Sequence, residues 1–346
     1  MTKEEVLERY DQATAFYLHE IKAKGLSKAS LRGYGIHLRL FREFWCDLHR
    51  DEDDVKDFGY LDFQMWRDEM VKRGLHVQTI EIYIKTLRAF FTFVSDEELG
   101  DERFYDKNPV SRRLIPDVSK DKARPYEEIL TDEQVLMLWD NTPVRKKGIK
   151  VANWPRNYAM VVLLLTTELR NSEVLDLKLS DLDFEFEEIQ VWHGKGNKYR
   201  CVDFPEIAQT AIKLYLKSGL RPENLSDDDY LFGTTHPGGQ GVFGHSDVWK
   251  RGTTNWISNI VRRHVKMVAG VDMVKTHDLR HVGSRLDLHN GTSAEELQAK
   301  LGHASVSTTQ IYSGKLGTKR KRVTARRVYE ERDIQARRNE MMLEAM

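Results

Sequence analysis

The sequence predicts a mainly α protein with a small β-sheet, arranged as an N-terminal helical domain and a C-terminal α+β domain. Three observations lead there. Apolar residues recur at helical spacing through most of the first 95 positions. A proline-punctuated, charged stretch follows, with Asn108-Pro109, Pro116 and Pro125. Beyond it, helical patterning resumes and is broken once by two short alternating segments around a glycine-rich turn.

Four helices are predicted first. Val6–Lys24 is ended by Gly25. Ser27–Leu48 starts at Ser27 or Ser30 as N-cap and carries Leu31, Tyr34, Leu38, Phe41 and Phe44 on one face. Phe63–Arg73 is closed by Gly74. Val77–Val94 sets Ile80, Tyr83, Leu87, Phe90 and Phe91 on one side, a stripe that reads first as core. Residues 1–112 form this domain, and residues 113–127 read as the linker.

The second domain spans 128–317. Helices are expected over Thr131–Asp140 and Trp154–Thr167, and a short one begins near Asn171 and Ser172. Glu188–His193 and Tyr199–Phe204 alternate as strands, joined by the turn Gly194-Lys195-Gly196-Asn197-Lys198. Helices follow over 206–217, 253–269, 276–289 and 293–301. Thr276 is a predicted N-cap, and Ser293 with Glu296 forms a capping box. Gly233–Gly244 lacks the strand-to-helix setting of a phosphate cradle and reads as a loop. Residues 318–346 are a tail, basic and then amphipathic.

Composition excludes several classes. Hydrophobic residues make up 40% and charged residues 31%, as in a soluble globular protein. No apolar run approaches the roughly 20 residues of a membrane span, and MTKEEVLERY is no signal peptide, so no membrane partner is expected and a cytoplasmic location is. Cys46 and Cys201 lie far apart, outside any metal-ligand spacing, so neither a disulfide framework nor a zinc site is expected. With 54 basic and 54 acidic residues, net charge is zero. The distribution is uneven: residues 315–327 hold seven basic residues and no acidic one, while acidic residues collect at 51–54, 181–188 and 227–229.

Six residues in five phrases carry chemistry: Arg170 in TTELRNSEVL, Lys195 in GKGNKYR, His277 and Arg280 in THDLRH, His303 in LGH and Tyr312 in TTQIYSG. Two guanidiniums can fork onto phosphate oxygens. A phenol forms covalent intermediates when a neighbour takes its proton. No carboxylate cluster for a divalent metal accompanies them, so the cations themselves would stabilise developing charge. His277 and Arg280, at i and i+3, project from one helical face.

Order and spacing resemble the tyrosine recombinase, or phage integrase, family. Lys195 follows Arg170 by 25 positions, His303 follows Arg280 by 23, and Tyr312 follows His303 by nine, with LGHxxxxTTxxY intact. SKASLRGYGIHLRLFREFW and HVQTIEIYIKTLRAFFTFV also look like that family's helical, SAM-like core-binding domain, which clamps one side of the DNA. The resemblance implies a tyrosine-recombinase catalytic domain with Arg170, Lys195, His277, Arg280, His303 and Tyr312 as catalytic residues. Tyr312 would be the nucleophile and Lys195 or Lys198 the general acid. Glu173, in the R-x-S-E phrase, would orient an arginine. His281 reads as structural.

The implied activity is site-specific DNA recombination through a 3′-phosphotyrosyl link, as the integrase of a mobile element or virus. It would need no cofactor or metal. Its partners would be attachment-type double-stranded DNA sites, further copies of the chain in a tetramer, and accessory DNA-bending proteins. The tail would be a helix that docks on a neighbouring protomer. A type IB topoisomerase and a non-catalytic DNA-binding protein of the same fold are the alternatives. One departure is visible: the family has Gly in T-G-x-R where Glu168 stands. That Glu either lies outside the site or pairs with Arg170.

Overall fold

The computed structural model describes residues 1–117, 129–141, 145–146, 149–150, 153–192, 199–235, 248–302 and 319–346, with the backbone alone for 100–102, 145–146, 149–150 and 319–325. The chain divides into two compact units, Met1–Ala123 and Arg124–Met346.

The first unit is built on α1 (Lys3–Ala23), α2 (Lys28–Leu48), α3 (Tyr60–Lys72) and α4 (Val77–Val94), followed by short 3-10 turns at Glu97–Glu102 and Arg112–Leu114. Thr2 and Glu5 cap α1 reciprocally, and Ser27 caps α2 through the Ser30 amide. Helix α3 starts three residues before the patterned stretch, because Asp62 accepts from the Gly59 amide at 2.7 Å and fixes the first turn. The aromatic stripes meet as core. Phe41 and Phe63 stack at 4.5 Å, and Tyr10 meets Phe58 and Phe90 edge-on. Trp45, Phe90 and Phe91 are fully buried.

The second unit begins with α5 (Asp132–Trp139), the strand pair β1 (Arg145–Lys146) and β2 (Ile149–Lys150), and α6 (Trp154–Thr167). Then come α7 (Asn171–Asp176), a 3-10 turn and a three-stranded antiparallel sheet of β3 (Leu182–Asp183), β4 (Glu188–Val191) and β5 (Arg200–Asp203). Ile189 pairs with Val202 and Val191 with Arg200, so Ile189, Val191 and Val202 face inward. Helix α8 (Glu206–Lys217), strands β6 (Gly233–Thr234) and β7 (Lys250–Arg251), and helices α9 (Thr254–Ala269), α10 (Thr276–Asn290), α11 (Ala294–Leu301) and α12 (Lys319–Glu344) complete it. Helix α6 is apolar all round and central, buried from Tyr158 to Thr167.

The fold class is therefore as predicted, with corrections in detail. The sheet has a third strand, β3. Part of the glycine-rich stretch pairs, since Gly233 lies opposite Arg251 and a Cβ there would stand 2.5 Å from the Trp249 ring. The remainder of that stretch, residues 236–244, lies outside the described residues, as does most of the linker from 118 onward. The tail helix α12 packs on its own second unit, against α5, α8 and α10. Val328, Ala336 and Asn339 are buried there. Ile334, Met341 and Met342 face out. Among the described residues no helix is long and apolar enough to cross a membrane.

Candidate functional site

Arg170 stands at the junction of α6 and α7. Neither Asn171 nor Ser172, where the sequence predicts the short helix to begin, is its N-cap. Arg170 is itself the N-cap residue, and Glu173 Oε2 accepts from the Arg170 amide at 2.8 Å. A carboxylate in the first turn replaces a short polar cap and meets the positive helix end. The other oxygen, Oε1, accepts Arg170 Nη1 at 2.8 Å.

A second guanidinium joins them. Arg200, the first residue of β5, donates from Nη1 to Glu173 Oε1 at 2.9 Å and from Nη2 to Oε2 at 2.8 Å. Glu173 is thus gripped by two arginines. Burial alone would raise its carboxyl, but Arg200 and then Arg170 overcome this and hold it down at about 2. Arg200 was not among the residues singled out from sequence. The sequence does hold a signal for it: Val202 on β5 and Phe204 just after it face the core and Cys201 and Asp203 do not, so strict alternation turns Arg200 inward. An inward arginine on a short strand needs an anionic partner.

Arg280 is fully buried on α10. Its Nη1 donates to the carbonyl of Glu168, and its Nη2 to the carbonyl of Leu301 at 2.7 Å. Leu301 O also accepts Arg170 Nη2 at 3.2 Å, and Lys300 O accepts Arg200 Nε at 3.1 Å. Three guanidiniums therefore converge on the last carbonyls of α11, the negative end of that helix. Burial and the nearby Arg170 charge bring Arg280 down to about 10, still cationic at neutral pH. Gly302, at φ 61°, turns the chain out of α11, and a Cβ there would lie 3.2 Å from Arg200 Cδ.

His277 sits one turn before Arg280 on the same helix, with its ring edge-on to His281 at 4.3 Å. Partial burial of the ring and the Arg280 charge lower its pKa below the ordinary imidazole value, so the ring is neutral at neutral pH and able to accept a proton. The predicted Thr276 cap is displaced by one residue. Lys275 is the N-cap, and its amide donates to Asp278 Oδ2 at 2.8 Å. Leu279, Val282 and Leu286 are buried on another face of α10.

Glu168 resolves the departure noted above. It neither lies outside nor pairs with Arg170. It is fully buried at the end of α6 in left-handed backbone, φ 55°, which explains physically why glycine suits this position. Its carboxyl group accepts Ser284 Oγ at 2.6 Å and faces Lys300 Nζ at 3.0 Å. Lys195, Lys198, His303 and Tyr312 lie outside the described residues. Among the described residues no cluster of His, Cys, Asp and Glu is suited to a metal ion.

Residues 128–317 match the phage integrase family, and residues 14–98 match the phage integrase N-terminal SAM-like domain. The chain is 30% identical to tyrosine recombinase XerC of Bacillus licheniformis over 298 residues, covering 84% of this chain and 87% of that one. It is 30% identical to tyrosine recombinase XerA of Pyrococcus furiosus over 75% of this chain and 74% of that one. Among solved structures, XerH recombinase bound to palindromic difH substrate aligns with a TM-score of 0.62 at 21% identity, over 85% of this chain and 78% of that one. The Tn1549 transposon integrase with circular intermediate DNA aligns at 0.61 and 21%, over 90% and 94%. These last two speak for the fold. The chain belongs to the phage integrase family of tyrosine recombinases. It is accordingly an enzyme, a site-specific DNA recombinase.

Proposed function

We propose that the chain cleaves and rejoins DNA through a 3′-phosphotyrosyl intermediate with Tyr312 as nucleophile, on attachment-type sites, within a tetramer, as the integrase of a mobile element or virus. The observation that carries the chemistry is the meeting of Arg170 and Arg280 on the Leu301 carbonyl, immediately before Gly302-His303. This brings two of the six catalytic candidates to the stretch of sequence that leads to two more, His303 and Tyr312.

Tyr312 Oη attacks phosphorus and the bond from phosphorus to the 5′ oxygen breaks. The phenolic proton passes to neutral His277, and Lys195 or Lys198 supplies a proton to the leaving 5′ oxygen. Arg170, Arg280 and His303 hold the non-bridging oxygens as charge develops there. A 5′-hydroxyl from a partner duplex then attacks the phosphotyrosine, releases the phenol and reseals the strand. The reading places the enzyme with its DNA in the cytoplasm and leaves room for accessory DNA-bending proteins.

The test is trapping of covalent protein–DNA adducts on duplexes carrying the element's candidate attachment sites. Wild type should give an adduct at Tyr312, and Tyr312→Phe should give none while still binding. An adduct at another tyrosine would overturn the assignment. Relaxation of supercoils by a monomer on any sequence, with no joining of two duplexes, would favour a type IB topoisomerase activity instead.

A further inference from the structure

Asp287 lies seven residues after Arg280 on α10, on the same helical face. Its carboxylate oxygens serve two segments. Oδ2 accepts Lys300 Nζ at 2.5 Å, and Oδ1 accepts the hydroxyl of Tyr329. Lys300 is in the last turn of α11, and Tyr329 is on α12. One side chain therefore ties the last turn of α11 to a point within α12.

The cluster is well enclosed. Side-chain exposure is 12% for Lys300, 16% for Asp287 and 0% for Glu168. Lys300 also faces Glu168, whose carboxyl group holds Ser284 and whose backbone carbonyl holds Arg280. The Lys300 carbonyl accepts Arg200, and the next carbonyl accepts Arg170 and Arg280. Whatever fixes the end of α11 thereby fixes the arginines.

We infer that Asp287 is a positioning residue that clamps Lys300 to Tyr329, joining α12 to the last turn of α11 and so setting the arginine cluster. Its effect on cleavage rests on the reading of Tyr312 as nucleophile; the clamp itself does not. The bonds are side-chain contacts in a low-dielectric setting, where an unpaired charge is costly, so breaking one should loosen the others.

The experiment uses the full chain and the variants Tyr329→Phe and Asp287→Asn. Tyr329→Phe is the milder, since it keeps the ring and removes one hydroxyl. Amide hydrogen exchange over residues 294–302 and 326–340 is measured without DNA, and single-turnover cleavage is measured at saturating DNA. Exchange in α11 should rise several-fold in Tyr329→Phe, although the altered residue is on α12. The cleavage rate constant should fall roughly ten- to a hundredfold, as for a misplaced reacting group, with DNA Kd nearly unchanged. A merely structural role would lower the amplitude of cleavage and leave the rate constant of the active fraction intact. The double variant should be barely slower than Asp287→Asn alone, since both changes break one linkage. Unchanged α11 exchange in both variants would overturn the clamp, and so would a normal rate constant. Failure of the nucleophile reading shows separately, as a wild type that never forms an adduct while the exchange arm still decides the clamp.

Discussion

Arg200 grips Glu173 with both terminal nitrogens, at 2.9 and 2.8 Å, while Glu173 also holds the backbone and side chain of Arg170. One carboxylate thus organises two guanidiniums and the start of α7. Removing Arg200 leaves Glu173 with one partner, so Arg200→Ala should cost about 3 kcal/mol, the scale of a broken buried pair. Arg200→Lys should recover only part of this, because an ammonium cannot fork. Chemical denaturation of the variants measures both. A cost near zero would show that Arg170 alone suffices for Glu173.

The same carboxylate sets a pH dependence. An unfolded glutamate takes up its proton near 4.5 and folded Glu173 does so at about 2. The unfolded chain then binds more protons in that window, so the stabilisation is whole above pH 4.5 and is lost as pH falls toward 2. Arg200→Gln should raise the midpoint of acid unfolding, followed by far-ultraviolet circular dichroism. An unmoved midpoint would contradict this.

Glu168 should act with the opposite sign. Burial, and then the Asp287 charge, push it up to about 8. Folded Glu168 keeps its proton where the unfolded residue has lost it, so its contribution favours folding below pH 4.5 and fades as pH rises from 4.5 to 8. Glu168→Gln keeps the shape and the bond from Ser284 and removes the titration. Tm measured from pH 5.5 to 8.5 should therefore fall less steeply in Glu168→Gln than in wild type, with each kcal/mol shifting Tm by roughly 2–4 °C. Parallel Tm curves would show that Glu168 stays ionised in the fold.

Gly283 sets how closely α10 can approach α6. A Cβ there would lie 2.2 Å from the Leu165 carbonyl oxygen. Backbone cannot yield as a flexible side chain does, so Gly283→Ala should push the helices apart at a cost of about 1–3 kcal/mol. Because Arg280 is three residues away and bonded to Glu168 O on the end of α6, cleavage should slow as well. A variant as stable and as active as wild type would show that the helices can slide without penalty.

How far the sequence reveals this depends on the range of the interaction. The four N-terminal helices, α6, α8 and the β4–β5 pairing are written in periodicity, which is local. Strand β3 is two residues long and pairs only because β4 lies beside it, so no alternation marks it. Glu168, Asp287 and Lys300 read singly as solvated charges on helices, since a buried cluster drawn from three elements has no spacing to detect. The tail shows the same limit. Its helical period is legible, but Val328, Ala336 and Asn339 line the buried face, whereas Ile334, Met341 and Met342 are larger and exposed. Apolar size points to the wrong side of the helix when the true face is lined by small and polar groups.

That face makes α12 part of the second unit's core, and truncation tests this. Asn339 is fully buried and donates to Tyr158 Oη at 3.2 Å and to Thr210 Oγ1 at 3.4 Å, while Gln335 donates to it. Tyr158 in turn donates to the Trp139 carbonyl, so α12 reaches α5, α6 and α8 through one amide. Asn339→Leu strands these partners and should cost about 1–3 kcal/mol. Deleting residues 326–346 removes Val328, Ala336 and the Tyr329 bond to Asp287 as well. The truncated protein should melt well below full length even at concentrations where both are monomeric, and should lose first-strand cleavage together with strand exchange. If the helix served only to join protomers, the truncated monomer would keep its Tm and its cleavage and would lose assembly alone. Thermal melts paired with sedimentation and single-site cleavage separate the two outcomes.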